Sequence, residues 1–209
     1  RSWIALYLQF SGNKTYQVKS YTNDELKSLT RGRNKVVAAR SQQYVIITNA
    51  LDYIFPEYRK NVDCRLSKTS LALFALYPTV EEISKLTPTK LDKLKHKFSG
   101  IRLNKIQTAI AYAKVTVGHP NEAQSFILQE AVKHVLFFND IINEYEKKID
   151  HLLKKINSPL LSIPGVGKIS AASIIGEYNN FEAFSSPDKL LAFAGLECSR
   201  YQSGLADNK

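Results

Sequence analysis

The chain has 209 residues, of which 44% are hydrophobic and 23% are charged, and its net charge is +10 because 29 lysines and arginines face 19 acidic residues. This composition excludes a disordered chain and predicts a globular protein with a polyanionic partner. Nucleic acid is the leading candidate for that partner, and an anionic membrane is the second. No apolar run approaches the ~20 residues of a membrane span, no signal peptide pattern opens the chain, and Cys64 and Cys198 lack metal-ligand spacing. A cytoplasmic protein with reduced thiols is therefore expected.

The first long helix is predicted from Asp24 to Phe55, since Thr22-Asn23-Asp24-Glu25 is a good helix start and no proline intervenes before Pro56. The second half of this helix carries an apolar stripe. The first half carries basic residues with no acidic residue among them: Lys27, Arg31, Arg33, Lys35 and Arg40. These are candidates for contact with nucleic-acid phosphates, and a solvated helix face explains them equally well.

Short helices are predicted between Pro56 and Pro120, and a second long helix is predicted from Asn121 to Ile156. Apolar residues recur in it at spacings of three and four: Leu128, Ala131, Val135, Phe138, Ile142, Tyr145, Ile149, Leu152 and Ile156. A seam of this length needs a long partner. Either the first long helix or an antiparallel copy from another subunit would supply one.

A tight turn is predicted between two apolar segments at residues 161–172. Pro164 ends one element, Gly165 and Gly167 permit the turn, and Lys168 opens a helix rich in small residues. Such a turn directs backbone N–H groups and the positive end of a helix at one point, where a phosphate binds well. The residues predicted to bind nucleic acid here are Gly165, Val166, Gly167 and Lys168. The alternative is a simple loop before a helix.

The C-terminal segment is predicted to hold a short helix, with Ser186 as its cap and Pro187 at its first position, that ends at Ala194-Gly195. A loop from Leu196 to Gly204 follows and places Ser203 close to Arg200. Composition alone would make Ser203 an ordinary turn serine. No base is near it in sequence, and solvated or core roles are expected for the four histidines, His96, His119, His134 and His151.

Three motifs in this order resemble the C-terminal domain of transposases of the insertion sequence 110/116/902 family: IPGVGKISAASIIGE, then F-x-x-P-x-K-L-x-A-F-A-G-L, then Q-S-G. Residues 26–58 are similar to the helical segment that follows the RuvC-like domain of this family. The segment between Asn61 and His119 is similar only in its helix pattern.

The resemblance implies a DNA transposase in which Ser203 is the nucleophile, with Arg200 as a nearby positive charge. It also implies an N-terminal RuvC-like DEDD domain that binds a divalent metal, expected to be Mg²⁺, and whose acidic residues would precede Arg1. No metal ligands are predicted within the chain. The expected partners are DNA and a structured guide RNA, which could contact the basic helix in place of DNA. Further copies of the chain are expected to associate through the long helices. A nucleoid-associated protein of a bacterium or archaeon is expected.

The predicted fold is all-α, with long antiparallel, coiled-coil-like helices followed by a small helix-hairpin-helix domain. The predicted domains are a remnant of an RuvC-like domain at 1–20, a helical domain at 21–157 and a helix-hairpin-helix transposase domain at 158–209. This fragment is expected to be inactive without the RuvC-like domain. The alternative functions are a non-catalytic helix-hairpin-helix module of a repair or replication protein and a purely structural coiled coil.

Overall fold

The computed structural model describes residues 21–156, 158–178, 185–195, 202–203 and 206–207. These residues confirm the predicted all-α class and both long helices. They form two compact units, one from residues 21–30 with the described part of 149–207 and the other from Arg31–Lys148. The division between the units falls within the two long helices. The predicted domain boundary at 157/158 stays a prediction.

The α-helices in chain order are α1 Tyr21–Ile54, α2 Glu57–Asn61, α3 Lys68–Leu76, α4 Val80–Ser84, α5 Pro88–Lys97, α6 Leu103–Ala113, α7 Glu122–Ile156, α8 Lys168–Tyr178 and α9 Pro187–Phe193. A 3₁₀ helix, Pro159–Ser162, lies between α7 and α8. Two short strands, β1 Gln202–Ser203 and β2 Ala206–Asp207, pair antiparallel. Among the described helices, none combines the length and apolarity needed to cross a membrane.

The two long helices run antiparallel in the Arg31–Lys148 unit. Arg33 forms an ion pair with Glu146 at 2.6 Å, and Arg40 Nη1 donates to Asn139 Oδ1 at 2.7 Å. As the residue number rises along α1, the number of its partner falls along α7, which is the antiparallel order. Of the two partners that the apolar seam of α7 allowed, the structure supplies the intramolecular one.

Side-chain caps mark the start of two helices, and one of these caps, Ser186, was predicted from the sequence. Asn121 precedes α7, and its Oδ1 accepts from Gln124 N at 3.0 Å. Ser186 precedes α9, and its Oγ accepts from Lys189 N at 3.4 Å. A side-chain oxygen before a helix satisfies a first-turn N–H that has no acceptor inside the helix. Local chemistry therefore sets where these two helices begin.

The core of the Arg31–Lys148 unit lies between the long helices and the short ones. Its large fully buried side chains include Phe55, Tyr58 and Phe74, and the Tyr58 ring meets the Phe74 ring edge-on at 4.7 Å. Burial raises the pKa of the Tyr58 hydroxyl, which donates to Ser70 Oγ. The short helices therefore cover the apolar stripes of α1 and α7.

A buried carboxylate joins α6 to the segment between α2 and α3. Asp63 is 6% exposed and forms an ion pair with Lys105 at 2.8 Å. Its Oδ2 accepts from the Ser67 N–H at 2.8 Å, from the Ser67 hydroxyl and from the Ser70 hydroxyl at 2.6 Å. Burial alone would raise the pKa of Asp63, but the hydrogen bonds from Lys105, Ser67 and Ser70 outweigh it and hold the pKa well below its usual range.

Candidate nucleic-acid interface

The turn before α8 is a hydrogen-bonded β-turn. Val166 N donates to Ile163 O at 3.1 Å, and Gly165 has a φ of +88°. Proline at the second position and glycine with positive φ at the third are the residues that a type II turn requires. Ser158 and Ser162 support the preceding 3₁₀ helix, since Ser158 Oγ accepts from Leu160 N and Ser162 Oγ donates to Pro159 O. The tight turn predicted from the sequence is therefore present.

The turn is exposed and leads directly into α8. Ile163 is 47% exposed, and Pro164, Gly165, Gly167 and Lys168 are exposed as well. Ala171 N donates to Gly167 O at 2.9 Å, so the intrahelical ladder begins there. The N–H groups of the first turn have no acceptor within the helix, and Gly167 has no side chain to cap them. An anion from solution could accept from them.

Substitution of Gly165 with alanine is expected to lower the free energy of unfolding by about 1–2 kcal/mol, because positive φ is costly for an L-residue that carries a Cβ. Gly165→Asn is the matched control, since asparagine tolerates positive φ but is larger. Denaturant unfolding measures both. Equal damage from the two substitutions would show that bulk, not the backbone conformation, is the cause.

Helix α8 is held against the start of α1 and the end of α7. Ala172 and Ile175 pack with Leu26, Ile149 and Leu153 in a second apolar cluster. Lys27 forms an ion pair with Glu177 at 3.1 Å. At Gly176 the backbones come so close that a Cβ would lie 2.7 Å from Lys27 N. The hairpin is therefore positioned by direct contact between helix backbones within its own unit.

We expect Gly176→Leu to lower the free energy of unfolding by about 2–3 kcal/mol, because the added side chain must push α8 away from α1. Ser170→Leu places the same side chain on the exposed face of α8 and serves as control. Thermal and denaturant unfolding of the two variants would be compared. Similar stability of the two would contradict the close approach at Gly176.

Asp150 organises the charges next to the turn. It forms ion pairs with Lys168 and, at 2.9 Å, with Lys154. The Lys168 ammonium first, and then Lys154, lower the pKa of the Asp150 carboxyl. The side chain of Lys168 is 63% exposed despite this pairing. Asp150 and Lys168 are eighteen residues apart, so no local sequence pattern indicates their contact.

The basic residues predicted on α1 are mostly occupied by partners. Lys27 pairs with Glu177, Arg33 with Glu146, and Arg40 with Asn139. Lys35 is exposed, and Arg31 is exposed but also takes part in an interaction. Their role in nucleic-acid binding stays a prediction, but three of the five contribute to tertiary structure.

The backbone of Ser203 lies in β1, where it pairs with Ala206, while Gln202 pairs with Asp207. The structure therefore places Ser203 in a short antiparallel ribbon instead of an irregular loop. Arg200 and Cys198 lie outside the described residues. The proposed catalytic role of Ser203 and the contact from Arg200 stay predictions.

Metal binding was predicted only for a separate domain. Within the described ranges, no group of three or more His, Cys, Asp or Glu side chains could hold a metal ion. Cys64 is an exposed free thiol.

Comparison with known proteins bears on the segment that holds the turn, α8, α9 and Ser203. Residues 157–209 match the family described as Transposase IS116/IS110/IS902 family. This segment matches a transposase family. The match confirms the resemblance predicted from the three motifs. No curated protein and no solved structure matches the chain.

The transposase match covers 53 of the 209 residues, about a quarter of the chain. It supports a transposase or recombinase at a coarse level, together with binding to DNA. The exposed turn, the first turn of α8 and Lys168 all lie inside the matched transposase segment.

Proposed function

We propose that this chain is the part of a DNA transposase that binds nucleic acid and carries the serine nucleophile for moving an insertion sequence. The observation that carries the proposal is the match of residues 157–209 to a transposase family, because the matched segment contains both the exposed turn at Gly165 and Ser203. The same match does not favour the alternative of a non-catalytic repair or replication module.

In this proposal the hairpin grips the DNA backbone. The first-turn N–H groups of α8 donate hydrogen bonds to a phosphate oxygen, and Lys168 adds positive charge beside them. Because Lys168 and Asp150 are both accessible to solvent, a phosphate can compete with the carboxylate for the ammonium group. These contacts position DNA without reading its sequence.

The proposed chemistry is a phosphoryl transfer through Ser203. Its Oγ attacks the phosphorus of a phosphodiester, and the proton of the hydroxyl passes to a base or to solvent. The bond from phosphorus to one sugar oxygen breaks, and that oxygen leaves as a hydroxyl after taking up a proton. A hydroxyl of a second strand then displaces the serine by the reverse steps, so the bond energy is conserved. Arg200 is proposed to stabilise the negative charge of the transition state.

The resemblance assigns Mg²⁺ to the RuvC-like domain of the complete protein. A divalent metal neutralises charge on the phosphate and lowers the pKa of a bound hydroxyl. The described residues contain no group of three or more His, Cys, Asp or Glu side chains that could hold this metal.

Self-association is part of the proposal, because joining two DNA duplexes requires more than one nucleophile. Large apolar side chains on the long helices support it: Phe126 is 64% exposed, Phe137 59% and Val45 58%. Phe126 and Phe137 are eleven residues apart and so share one face of α7, and apolar residues exposed on one face of a helix favour an interface with another protein. A structured guide RNA is proposed as a further partner of the basic surfaces.

The test of the proposed function is a strand-joining reaction. The complete protein, as its gene encodes it, is incubated with DNA carrying the ends of the insertion sequence, Mg²⁺ and RNA co-purified with it. We expect a covalent protein–DNA adduct whose modified peptide, identified by mass spectrometry, contains Ser203. Joined DNA strands without any adduct would contradict a serine nucleophile, and specific DNA binding without joining would favour the binding module.

A further inference from the structure

Helix α5 lies in the most basic region of the chain. Residues 85–105 contain seven basic side chains and a single acidic one, Asp92, so they contribute +6 of the net charge of +10. Sequence analysis singled out α1 for its basic residues and left this region aside. The structure changes their relative accessibility, because three of the five basic residues of α1 have side-chain partners, whereas Lys93 and Lys97 of α5 have none among the described residues.

Three lysines share one face of α5. Lys90, Lys93 and Lys97 are spaced by three and four residues, which places them within about 60° of one another around the helix axis. All three are exposed. Their face is called the α5 lysine face below.

Few neighbours satisfy these charges. Lys93 and Lys97 have no hydrogen-bond or ion-pair partner in the part of the chain that the structure describes, and Lys90 lies over the Tyr77 ring at 5.9 Å from its centroid. Asp92 is taken by Lys95 at 3.6 Å. By contrast, Lys27, Arg33 and Arg40 of α1 have the partners described above.

Compensation of the helix dipole explains only part of this pattern. Positive residues in the last turn stabilise a helix, and Lys95, His96 and Lys97 are in the last turn of α5. Lys90 is in the first turn, where positive charge is unfavourable, and Lys93 is in the middle of the helix, where the dipole has little effect. Like charges spaced by three or four residues also repel each other. Local helix stability therefore does not account for the lysine face.

We propose that the α5 lysine face binds the phosphate backbone of a nucleic-acid duplex. Lys90 and Lys97 are separated by about 10 Å along the helix at ~1.5 Å per residue, which corresponds to about three successive steps of ~3.4 Å along the duplex axis for one strand. The face lies in the Arg31–Lys148 unit and the hairpin in the other unit. The proposal is independent of catalysis by Ser203.

A membrane surface fits this face less well. A helix that binds an anionic bilayer inserts an apolar face beside its basic one. The apolar residues of α5 are already used, since Leu94 is fully buried in the core and Leu91 and Phe98 pack against it. Only the polar side is left for a partner, which favours phosphates held by charge alone.

The experiment replaces all three lysines with glutamine in the full chain, as Lys90→Gln/Lys93→Gln/Lys97→Gln. Affinities for a 30-base-pair DNA duplex and for an RNA duplex of equal length are measured by fluorescence anisotropy between 50 and 300 mM salt. We expect the affinity for at least one duplex to fall about 10- to 100-fold, and its salt slope to decrease by about three. The larger loss identifies DNA or RNA as the partner.

The matched control is Lys133→Gln/Lys147→Gln/Lys148→Gln, which removes the same charge from exposed positions of α7. We expect it to change both affinities by less than about threefold. Equal effects of the two triple variants on both duplexes would overturn the proposal, since net charge alone would then explain binding. Binding of the same variants to phosphatidylglycerol vesicles is also measured. If the α5 triple variant lost binding to the vesicles but to neither duplex, the partner would be a membrane and the proposal would be overturned.

A Lys168→Gln variant separates this inference from the proposed function of the hairpin. If Lys168→Gln weakens binding and the α5 triple variant behaves as its control, the hairpin stands and the α5 site is wrong. If only the α5 triple variant weakens binding, the α5 site is supported and the proposed role of Lys168 in the hairpin is wrong. Circular dichroism of each variant checks that the helices are intact.

Discussion

Replacement of Ser203 with alanine in the complete protein is expected to abolish the covalent DNA adduct and to lower strand joining by at least about 10³-fold. The reason is that alanine has no oxygen with which to form a bond to phosphorus, whereas the hairpin and the lysines that bind DNA are unchanged. We therefore expect the affinity for DNA to stay within about twofold. The measurement combines gel detection of the adduct with quantification of joined strands.

Two variants sharpen the Ser203 prediction. Ser199→Ala removes a hydroxyl four residues earlier and should leave strand joining intact. Ser203→Cys keeps a nucleophilic atom and should restore some adduct, since a thiolate can attack phosphorus, though it forms a weaker bond. An adduct that persists in Ser203→Ala would contradict the assignment of Ser203 as the nucleophile, but it would not bear on DNA binding by the hairpin.

Asp63→Asn is expected to produce the largest loss of stability, roughly 3–5 kcal/mol in the free energy of unfolding. The substitution keeps the size of the side chain but removes the charge that Lys105 faces at 2.8 Å. It also places an amide where the carboxylate accepts from Ser67 and Ser70. The partly buried Lys105 ammonium loses its counter-ion, and one amide oxygen must replace the two carboxylate oxygens that accept from Lys105, Ser67 and Ser70. Both losses cost free energy.

The matched control for Asp63→Asn is Asp52→Asn. Asp52 pairs with Arg59 at 3.2 Å, but its side chain is 55% exposed, and such surface pairs contribute at most about 1 kcal/mol. Urea unfolding at pH 7 compares the two variants with the parent protein. Equal losses from the two would mean that burial of Asp63 has no energetic consequence.

The stability that Asp63 provides should also depend on pH. Since the pKa of Asp63 is lowered in the folded protein, its contribution is fully present above the ordinary value of 3.8 and is lost as the pH falls through the folded-state pKa. The difference in unfolding free energy between the parent and Asp63→Asn should therefore be constant from pH 7 to about 5 and shrink below about 4. A constant difference down to pH 2.5 would contradict the lowered pKa.

Elements whose signals are local were predicted from the sequence. The long helices at Tyr21–Ile54 and Glu122–Ile156, the cap Ser186 and the turn at Gly165 depend on neighbours within a few residues. Helix periodicity, caps and glycine turns act over that distance, so these predictions are confirmed. The same holds for the transposase resemblance, which rests on three short motifs.

Contacts between distant residues were not predictable in this way. The network of Asp63 joins Ser67 to Lys105, 38 residues further on, and Gly176 touches Lys27 across most of the chain. Nothing in the periodicity of either segment indicates these contacts. They arise because helix packing brings together residues whose numbers are far apart.

The basic residues show most clearly the difference between what local sequence predicts and what tertiary contacts decide. The sequence by itself determined that the protein is all-α, basic and equipped with a tight glycine turn in a segment that matches a transposase family, because composition, periodicity and motifs are properties of short stretches. Only the tertiary structure decided which basic residues are available. Helix packing neutralises Lys27 and Arg33 with distant carboxylates and leaves Lys93 and Lys97 exposed, and the free energy of a charge depends on its neighbours in space.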